Sequence, residues 1–237
     1  MMLFTIDIGN TNVVVGAVDE KQVLFRERIL TDATQTVQWY ADQMLKKLAE
    51  HGLRPYAFEG AVIGSVVPTV TELTKRAWEQ ISGQQPFVIG NDVETDLTLD
   101  IDDPTKMGRD ILIGAVAAVS MYPLPLIVFD VGTATTVCVV DKNKVIPGYM
   151  IMPGPYTSLN ALSSKAAQLP EITFDEQPRM LGKNTVECMR SGIMYGHACM
   201  MEEIIRRIET EELGEPATVV ATGGPVADVI PLIHHEI

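Results

Sequence analysis

Two short stretches of the chain carry the same chemistry. Near the start the sequence reads Phe4-Thr5-Ile6-Asp7-Ile8-Gly9-Asn10-Thr11-Asn12-Val13-Val14, and in the middle Val128-Phe129-Asp130-Val131-Gly132-Thr133-Ala134-Thr135-Thr136. Each is an apolar strand that ends on a carboxylate, followed by a glycine and short polar side chains. A carboxylate at the end of a buried strand is costly unless it is paired or hydrated around a cation. The glycine lets the backbone come close to a ligand. Asn10, Thr11 and Asn12 in one copy, and Thr133 to Thr136 in the other, add hydroxyls, amides and backbone donors. Two such hairpins facing each other form a cleft with two carboxylates and two donor-rich turns. That setting suits a nucleoside triphosphate with its Mg²⁺. A single copy reads more readily as a strand closed by an Asx-type turn. The second copy, with a third glycine turn at Thr222-Gly223-Gly224, tips the balance toward a ligand site. There is no Gly-x4-Gly-Lys-Ser/Thr loop, and no Gly-x-Gly-x-x-Gly after a strand to mark a dinucleotide site.

The elements that position these residues follow from periodicity and breakers. Strands are expected over 3–7, through Val13, Val14 and Val15, and over 23–29, forming a meander. A helix over 36–51 puts Val37, Tyr40, Ala41, Met44, Leu45 and Leu48 on one face and stops at Gly52. A strand over 60–67, a helix over 69–81 and a short strand over 86–89 complete this half. The acidic stretch 91–104, with Asp92, Glu94, Asp96, Asp100, Asp102 and Asp103, reads as a loop, and a helix over 106–120 follows, entered through Gly108 and Asp110. The second half repeats the order: strands over 126–130 and 135–140, a third from Val145 to Pro153-Gly154, helices over 156–168 and 185–208, and a strand over 218–221. Aligning Asp7 on Asp130 brings Gly9 onto Gly132, with the later turn (Val18-Asp19 against Val140-Asp141) out of step by one residue. This is the pattern of an internal duplication. It gives an α/β chain of two lobes, 1–118 and 119–237. The long helix at 185–208 carries Met189, Ile193, Met194, Met200 and Met201, which suit a core or an interface equally.

Composition narrows the function. The chain has 237 residues, 46% apolar and 21% charged, enough for two medium lobes with real cores. A net charge of −13 excludes a general polyanion binder, so no nucleic acid is expected as partner. Small phosphates stay open, because backbone N–H groups and a cation can hold them. Cys138, Cys188 and Cys199 lack paired zinc spacing and read as buried, reduced thiols. No apolar run approaches the ~20 residues of a membrane span. The N-terminus has no basic flank, and its apolar stretch carries Asp7. A cytoplasmic protein without membrane association is therefore expected.

Taken together, Asp7-Ile8-Gly9-Asn10-Thr11, Asp130-Val131-Gly132-Thr133-Ala134, Gly148 through Pro153-Gly154, Gly182-Lys183-Asn184-Thr185 and Thr222-Gly223-Gly224 resemble type III pantothenate kinase over nearly the whole chain. The resemblance implies two duplicated ribonuclease-H-like lobes of the actin-like ATPase fold, with a nucleotide cleft between them. It implies ATP-dependent phosphorylation of pantothenate to 4′-phosphopantothenate, the first step of coenzyme A biosynthesis. Mg²⁺, a monovalent cation (K⁺ or NH₄⁺) and a homodimer come with it. Residue by residue, Asp7, Ile8, Gly9, Asn10, Thr11, Asn12, Val13 and Val14 match the first phosphate loop, and Asp7 is a candidate Mg²⁺ contact. Thr133, Gly223 and Gly224 match ATP contacts. Asp130 matches the monovalent-cation ligand. Gly108, Arg109, Asp110, Ile111 and Thr185 fall on substrate positions, and Asp110 on the catalytic base. Such a base accepts the proton that the attacking hydroxyl loses. From local sequence alone Asp110 reads as an acidic residue favoured by a helix N-terminus.

The sequence departs from this family in one region. The family reads Gly-Ala-Asp-Arg where this chain has Gly108-Arg109-Asp110-Ile111. The substrate-clamping arginine after the base is absent. Arg109 does not simply replace it, because neighbouring helix positions point about 100° apart. Upstream, Asn91-Asp92-Val93-Glu94-Thr95-Asp96 stands where the family is basic and glycine-rich, and Ile101 stands for a substrate-touching tyrosine. The chain also ends soon after Gly224, which reads as either a truncated sequence or a shortened second lobe. These departures leave two alternatives open: a weak or inactive nucleotide-binding regulatory relative, or a kinase for another small hydroxyl compound.

Overall fold

The computed structural model describes residues 1–20, 22–89, 95–166 and 168–237. The acidic Asp92 and Glu94 lie outside the described residues. The chain folds as two compact units, Met1–Glu94 with Gly108–Asp110, and Thr95–Met107 with Ile111–Ile237.

The first unit is a five-stranded mixed sheet. Its strands are β1 (Met2–Ile8), β2 (Asn12–Asp19), β3 (Val23–Leu30), β4 (Gly60–Ser65) and β5 (Phe87–Val88), ordered β3-β2-β1-β4-β5. The first three form the expected antiparallel meander, and β4 joins β1 in parallel. Two helices, α1 (Val37–Glu50) and α2 (Pro68–Ser82), supply the crossovers. Thr36 caps α1, its side chain accepting from the Trp39 N–H. Tyr40, Ala41, Met44 and Leu48 of α1 and Val70, Ala77 and Trp78 of α2 pack with Phe4, Ile6 and Ile8 of β1. Successive strand residues point to opposite faces. Burying Phe4, Ile6 and Ile8 therefore leaves Asp7 on the other face, where it is exposed.

The second unit repeats the plan. Its main sheet holds β7 (Leu126–Val131), β8 (Ala134–Val140), β10 (Tyr149–Pro153) and β11 (Thr218–Thr222), ordered β10-β8-β7-β11, with β11 parallel to β7. Here helices cover both faces. Ile127, Phe129 and Val131 pack against α5 (Thr185–Arg207) and α6 (Val226–Val229). Leu126 and Val128 pack with α3 (Arg109–Met121). Two buried faces explain why β7 is an unbroken apolar run up to Asp130.

Several local readings change. The acidic stretch is not all loop: β6 (Thr98–Leu99) pairs in parallel with β9 (Val145–Ile146). The third strand of the second meander is accordingly two pieces, β9 and β10, parted at Pro147-Gly148. The helix expected from residue 106 begins at Arg109, because a 3₁₀ turn at Pro104–Lys106 precedes it. A helix α4 spans Pro155–Lys165, and α5 ends in a π-helical turn, Ile208–Leu213. Met189, Ile193, Met194 and Met201 are buried, so the chain's own core takes most of that methionine face. Only Cys138 is a buried thiol; Cys188 and Cys199 are exposed on α5. No helix among the described residues is long and apolar enough to cross a membrane.

Candidate active site

In the first unit, Asp7 pairs in register with Val14 of β2 and Gly64 of β4. The Gly9 N–H donates to the Asn12 carbonyl at 3.0 Å, closing a turn of Gly9, Asn10 and Thr11. That turn is tied from outside. The Thr31 hydroxyl donates to the Gly9 carbonyl at 2.7 Å, and the Thr31 N–H to the Thr11 carbonyl at 3.1 Å. Tyr40, fully buried, locks the next residue, its hydroxyl donating to the Asp32 carbonyl at 3.1 Å and accepting from the Asp32 N–H at 3.0 Å. Burial pushes the Tyr40 phenol above its ordinary range, so it stays protonated and able to donate. Ile8 and Val13 have no side-chain exposure and offer the site backbone only, while Asn10 and Thr11 are exposed and Asn12 and Val14 half-buried.

The second unit closes its turn the same way: the Gly132 N–H donates to the Ala134 carbonyl at 2.9 Å. This loop is one residue shorter than the first, which accounts for the one-residue step between the two halves. Three segments converge on it. The Gly154 N–H and the Thr157 hydroxyl both donate to the Thr133 carbonyl, at 3.0 and 2.6 Å. Gly154 lies so close that a Cβ there would overlap the Gly132 carbonyl oxygen. Gly223, at φ +107°, lies against the Val131 backbone. Asp130 is half-buried and pairs in register with Thr136 of β8 and Thr222 of β11. Registered neighbours share a face, so one carboxylate and two hydroxyl side chains stand in a row at this end of the sheet. His197 of α5 is buried with its Nε2 3.1 Å from the Pro153 carbonyl, which holds the residue before Gly154.

The remaining candidates sit at the start of two helices. Gly108–Asp110 groups with the first unit, although the rest of α3 belongs to the second. Asp110 is exposed in the first turn of α3, whereas Ile111 is buried among the core residues of the second unit. An isoleucine held in that core offers a ligand its backbone only. Thr185 is exposed at the start of α5 and lines a cavity of about 770 Å³ shared with Lys183, Leu162 and Met189. A second cavity, about 350 Å³, lies between β8 and the end of α5 and contains none of the candidate residues. Thr31 and Thr157, which brace the turns, escaped the sequence reading. They sit 22 and 24 residues from their partners, and no local signal marks them.

Among the described residues no three His, Cys, Asp or Glu side chains gather as a metal site. Mg²⁺ keeps most of its waters and needs only one or two protein carboxylates, and Asp7, exposed at the end of β1, could supply one. The row of Asp130, Thr136 and Thr222 is an all-oxygen donor set of the kind a hard monovalent cation takes.

Two mixed sheets, each built on a strand–Asp–x–Gly hairpin with a parallel fourth strand, define a duplicated α/β protein of the actin-like ATPase class. Solved structures agree on the fold. A Campylobacter jejuni protein described as a Baf family transcriptional activator superposes with a TM-score of 0.57 at 16% identity, over 98% of this chain and 88% of that one. The ethanolamine utilization protein EutJ of Carboxydothermus hydrogenoformans gives 0.54 at 16% identity, over 98% and 79%. The chain belongs to the type III pantothenate kinase family, whose model matches residues 3–207. It is 40% identical over 223 residues to the type III pantothenate kinase of Exiguobacterium sibiricum, covering 94% of this chain and 87% of that protein.

Proposed function

We propose that this protein transfers the γ-phosphoryl group of ATP to the primary hydroxyl of pantothenate, with Asp110 as general base. Membership of the family carries the reaction class. One structural observation supports the roles of the residues: in each unit a glycine two residues past the strand's aspartate closes its turn by donating its N–H to the carbonyl of the first residue of the next strand. Phosphoryl transfer asks for positioning and charge neutralisation more than for covalent chemistry. The first turn, Asp7 to Val14, offers backbone donors to phosphate oxygens, and the second adds Thr133 with Gly223 and Gly224. Asp7 would be the protein contact of Mg²⁺, whose charge would offset that of the phosphates, and Asp130 would hold K⁺ or NH₄⁺. Asp110, exposed in the first turn of α3, accepts the hydroxyl proton as attack begins. Gly108, Arg109, the backbone of Ile111 and Thr185 position the substrate. We read the protein as a cytoplasmic homodimer.

The test is turnover by the purified protein with ATP, Mg²⁺, K⁺ and pantothenate, beside Asp110→Asn. The variant is expected to keep its ATP affinity and lose about 10²- to 10⁴-fold in kcat. Full activity in Asp110→Asn removes Asp110 as the base. ATP binding without turnover on pantothenate removes the substrate. Light scattering of the eluting protein reports the dimer.

A further inference from the structure

A chain of hydrogen bonds runs from α5 to the second glycine turn. His197 is 7% exposed, and its Nε2 lies 3.1 Å from the Pro153 carbonyl oxygen. The Gly154 N–H donates to the Thr133 carbonyl at 3.0 Å. The Pro153 carbonyl and the Gly154 N–H belong to one peptide unit, planar and trans, so they point in opposite directions. Any rotation of that plane that breaks the contact with His197 also turns the donor that Thr133 receives. The carbonyl points away from β8, because the N–H of the same unit turns toward Thr133. β10 is the edge strand of its sheet, so among the described residues no neighbouring strand meets that carbonyl. Pro153 itself has no N–H to give to β8, where it stands opposite Ala134. Gly154 is buried so tightly that an added Cβ would overlap the Gly132 carbonyl oxygen. The turn therefore feels a small movement of this peptide directly.

The tautomer of His197 follows from its partners. Nδ1 lies 3.1 Å from the Ile193 carbonyl oxygen. Both ring nitrogens thus face oxygens that can only accept, and a neutral imidazole has one proton to give. The Ile193 carbonyl lies four residues back in α5, where the backbone N–H of His197 serves it. The edge carbonyl of Pro153 has the greater need. A proton on Nε2 completes the chain from α5 to Thr133, and hydrogen bonds in series strengthen one another. We propose that His197 is a positioning residue for ATP binding: its Nε2–H orients the Pro153–Gly154 peptide, and that peptide holds the turn at Thr133 in the shape that receives the nucleotide. This assignment rests on the ATP-binding reading of Thr133 above and adds a buried side chain that sets the turn's geometry.

Two amide variants separate the ring nitrogens. The Gln side-chain nitrogen stands as many bonds from Cβ as Nε2, and the Asn nitrogen as many as Nδ1. His197→Gln keeps a donor for Pro153 and His197→Asn does not, while both bury an amide. Hydrogen exchange of the Gly154 amide, followed by NMR without nucleotide, is expected to match the wild type in His197→Gln and to run about tenfold faster in His197→Asn. Calorimetry with ATP and Mg²⁺ is expected to give a Kd within about twofold of the wild type for His197→Gln, and one about three- to tenfold weaker for His197→Asn. KM for pantothenate should change little in either. The ¹⁵N spectrum of the wild-type imidazole, which needs no variant, should show a proton on Nε2. A merely structural histidine would shift both variants alike. ATP binding by the wild type, together with an unprotonated Nε2 or with the two variants alike in Gly154 exchange or in Kd, overturns the assignment and leaves the kinase reading standing. Failure of the wild type to bind ATP defeats the reading of the turn, and the positioning role with it.

Discussion

Thr31 and Thr157 play equivalent parts in the two units. Each follows the third strand of its meander, and each hydroxyl donates to a carbonyl of its own glycine turn, Gly9 at 2.7 Å and Thr133 at 2.6 Å. The duplication thus extends beyond strands and turns to the brace that fixes each turn's shape. Preorganised donors are worth more to a developing charge than mobile ones. Thr31→Val and Thr157→Val keep the shape of the side chain and remove the donor. Each is expected to cost about 1 kcal/mol of stability and to raise KM for ATP several-fold with KM for pantothenate little changed. Steady-state kinetics with each substrate varied decides this; an unchanged KM for ATP in both variants defeats the bracing role.

Gly223 meets two demands at once. Its φ of +107° is one that side-chain-bearing residues rarely adopt, and a Cβ would overlap the Val131 carbonyl oxygen. Gly223→Ala should therefore lose about 1–3 kcal/mol from backbone strain alone, with the overlap in addition. Gly154 meets only the second demand, since its φ of −73° and ψ of 169° are ordinary. Gly154→Ala is expected to spare the local backbone and to push the second turn away from its place. Urea denaturation should rank Gly223→Ala below Gly154→Ala in stability, with ATP affinity impaired in both. The reverse ranking would show that space, and not φ, sets the cost at Gly223.

Much of this was legible in the sequence because it is written in local pattern. Short apolar runs ending in Asp-x-Gly marked both hairpins, and the shared face of Tyr40, Ala41, Met44 and Leu48 marked α1. The strand at Thr98–Leu99 was not legible. It is two residues long, sits in an acidic stretch, and exists only through a partner at Val145–Ile146, far along the chain. The Pro147-Gly148 break carried its own signal, a breaker dipeptide, but a continuous third strand was the simpler reading. The exposure of Asp7 follows from alternation once Phe4, Ile6 and Ile8 are known to face the helices. The half-buried state of Asp130 does not, because it requires knowing that α3 covers the second face of β7. The braces at Thr31 and Thr157 depend on where loops return after a strand, which residue type does not encode.

Thr135 runs against the economy of the second hairpin. It has no solvent exposure, and among the described residues nothing pairs with its Oγ1. It stands opposite Val131 on β8. A buried hydroxyl without a partner costs about 1–3 kcal/mol, whereas a methyl group of the same shape costs nothing of that kind. Thr135→Val is expected to raise the Tm and to leave KM for ATP unchanged. A fall in Tm would mean that the hydroxyl is satisfied in solution by a group or water that the buried geometry admits.

Cys138 links the core to alkaline pH. It lies on β8 against α3, and burial pushes its thiol up to about 12, from an ordinary value near 9. Below about pH 9 the thiol is protonated in the folded and unfolded chains alike, and the shift contributes nothing that varies with pH. Above it the unfolded thiol ionises while the folded one does not, so the unfolded state gains. Stability is lost as pH rises from 9 toward 12, at about 1.4 kcal/mol per pH unit from this group. Cys138→Ala leaves a cavity that lowers stability by a constant amount, and it removes this slope. Urea-denaturation free energies between about pH 8 and pH 11 should therefore fall more steeply for the wild type than for Cys138→Ala, so that the two curves approach each other. Parallel curves over that range would show that the thiol ionises as readily in the folded protein as in the unfolded chain, and that the second core admits charge or water at β8.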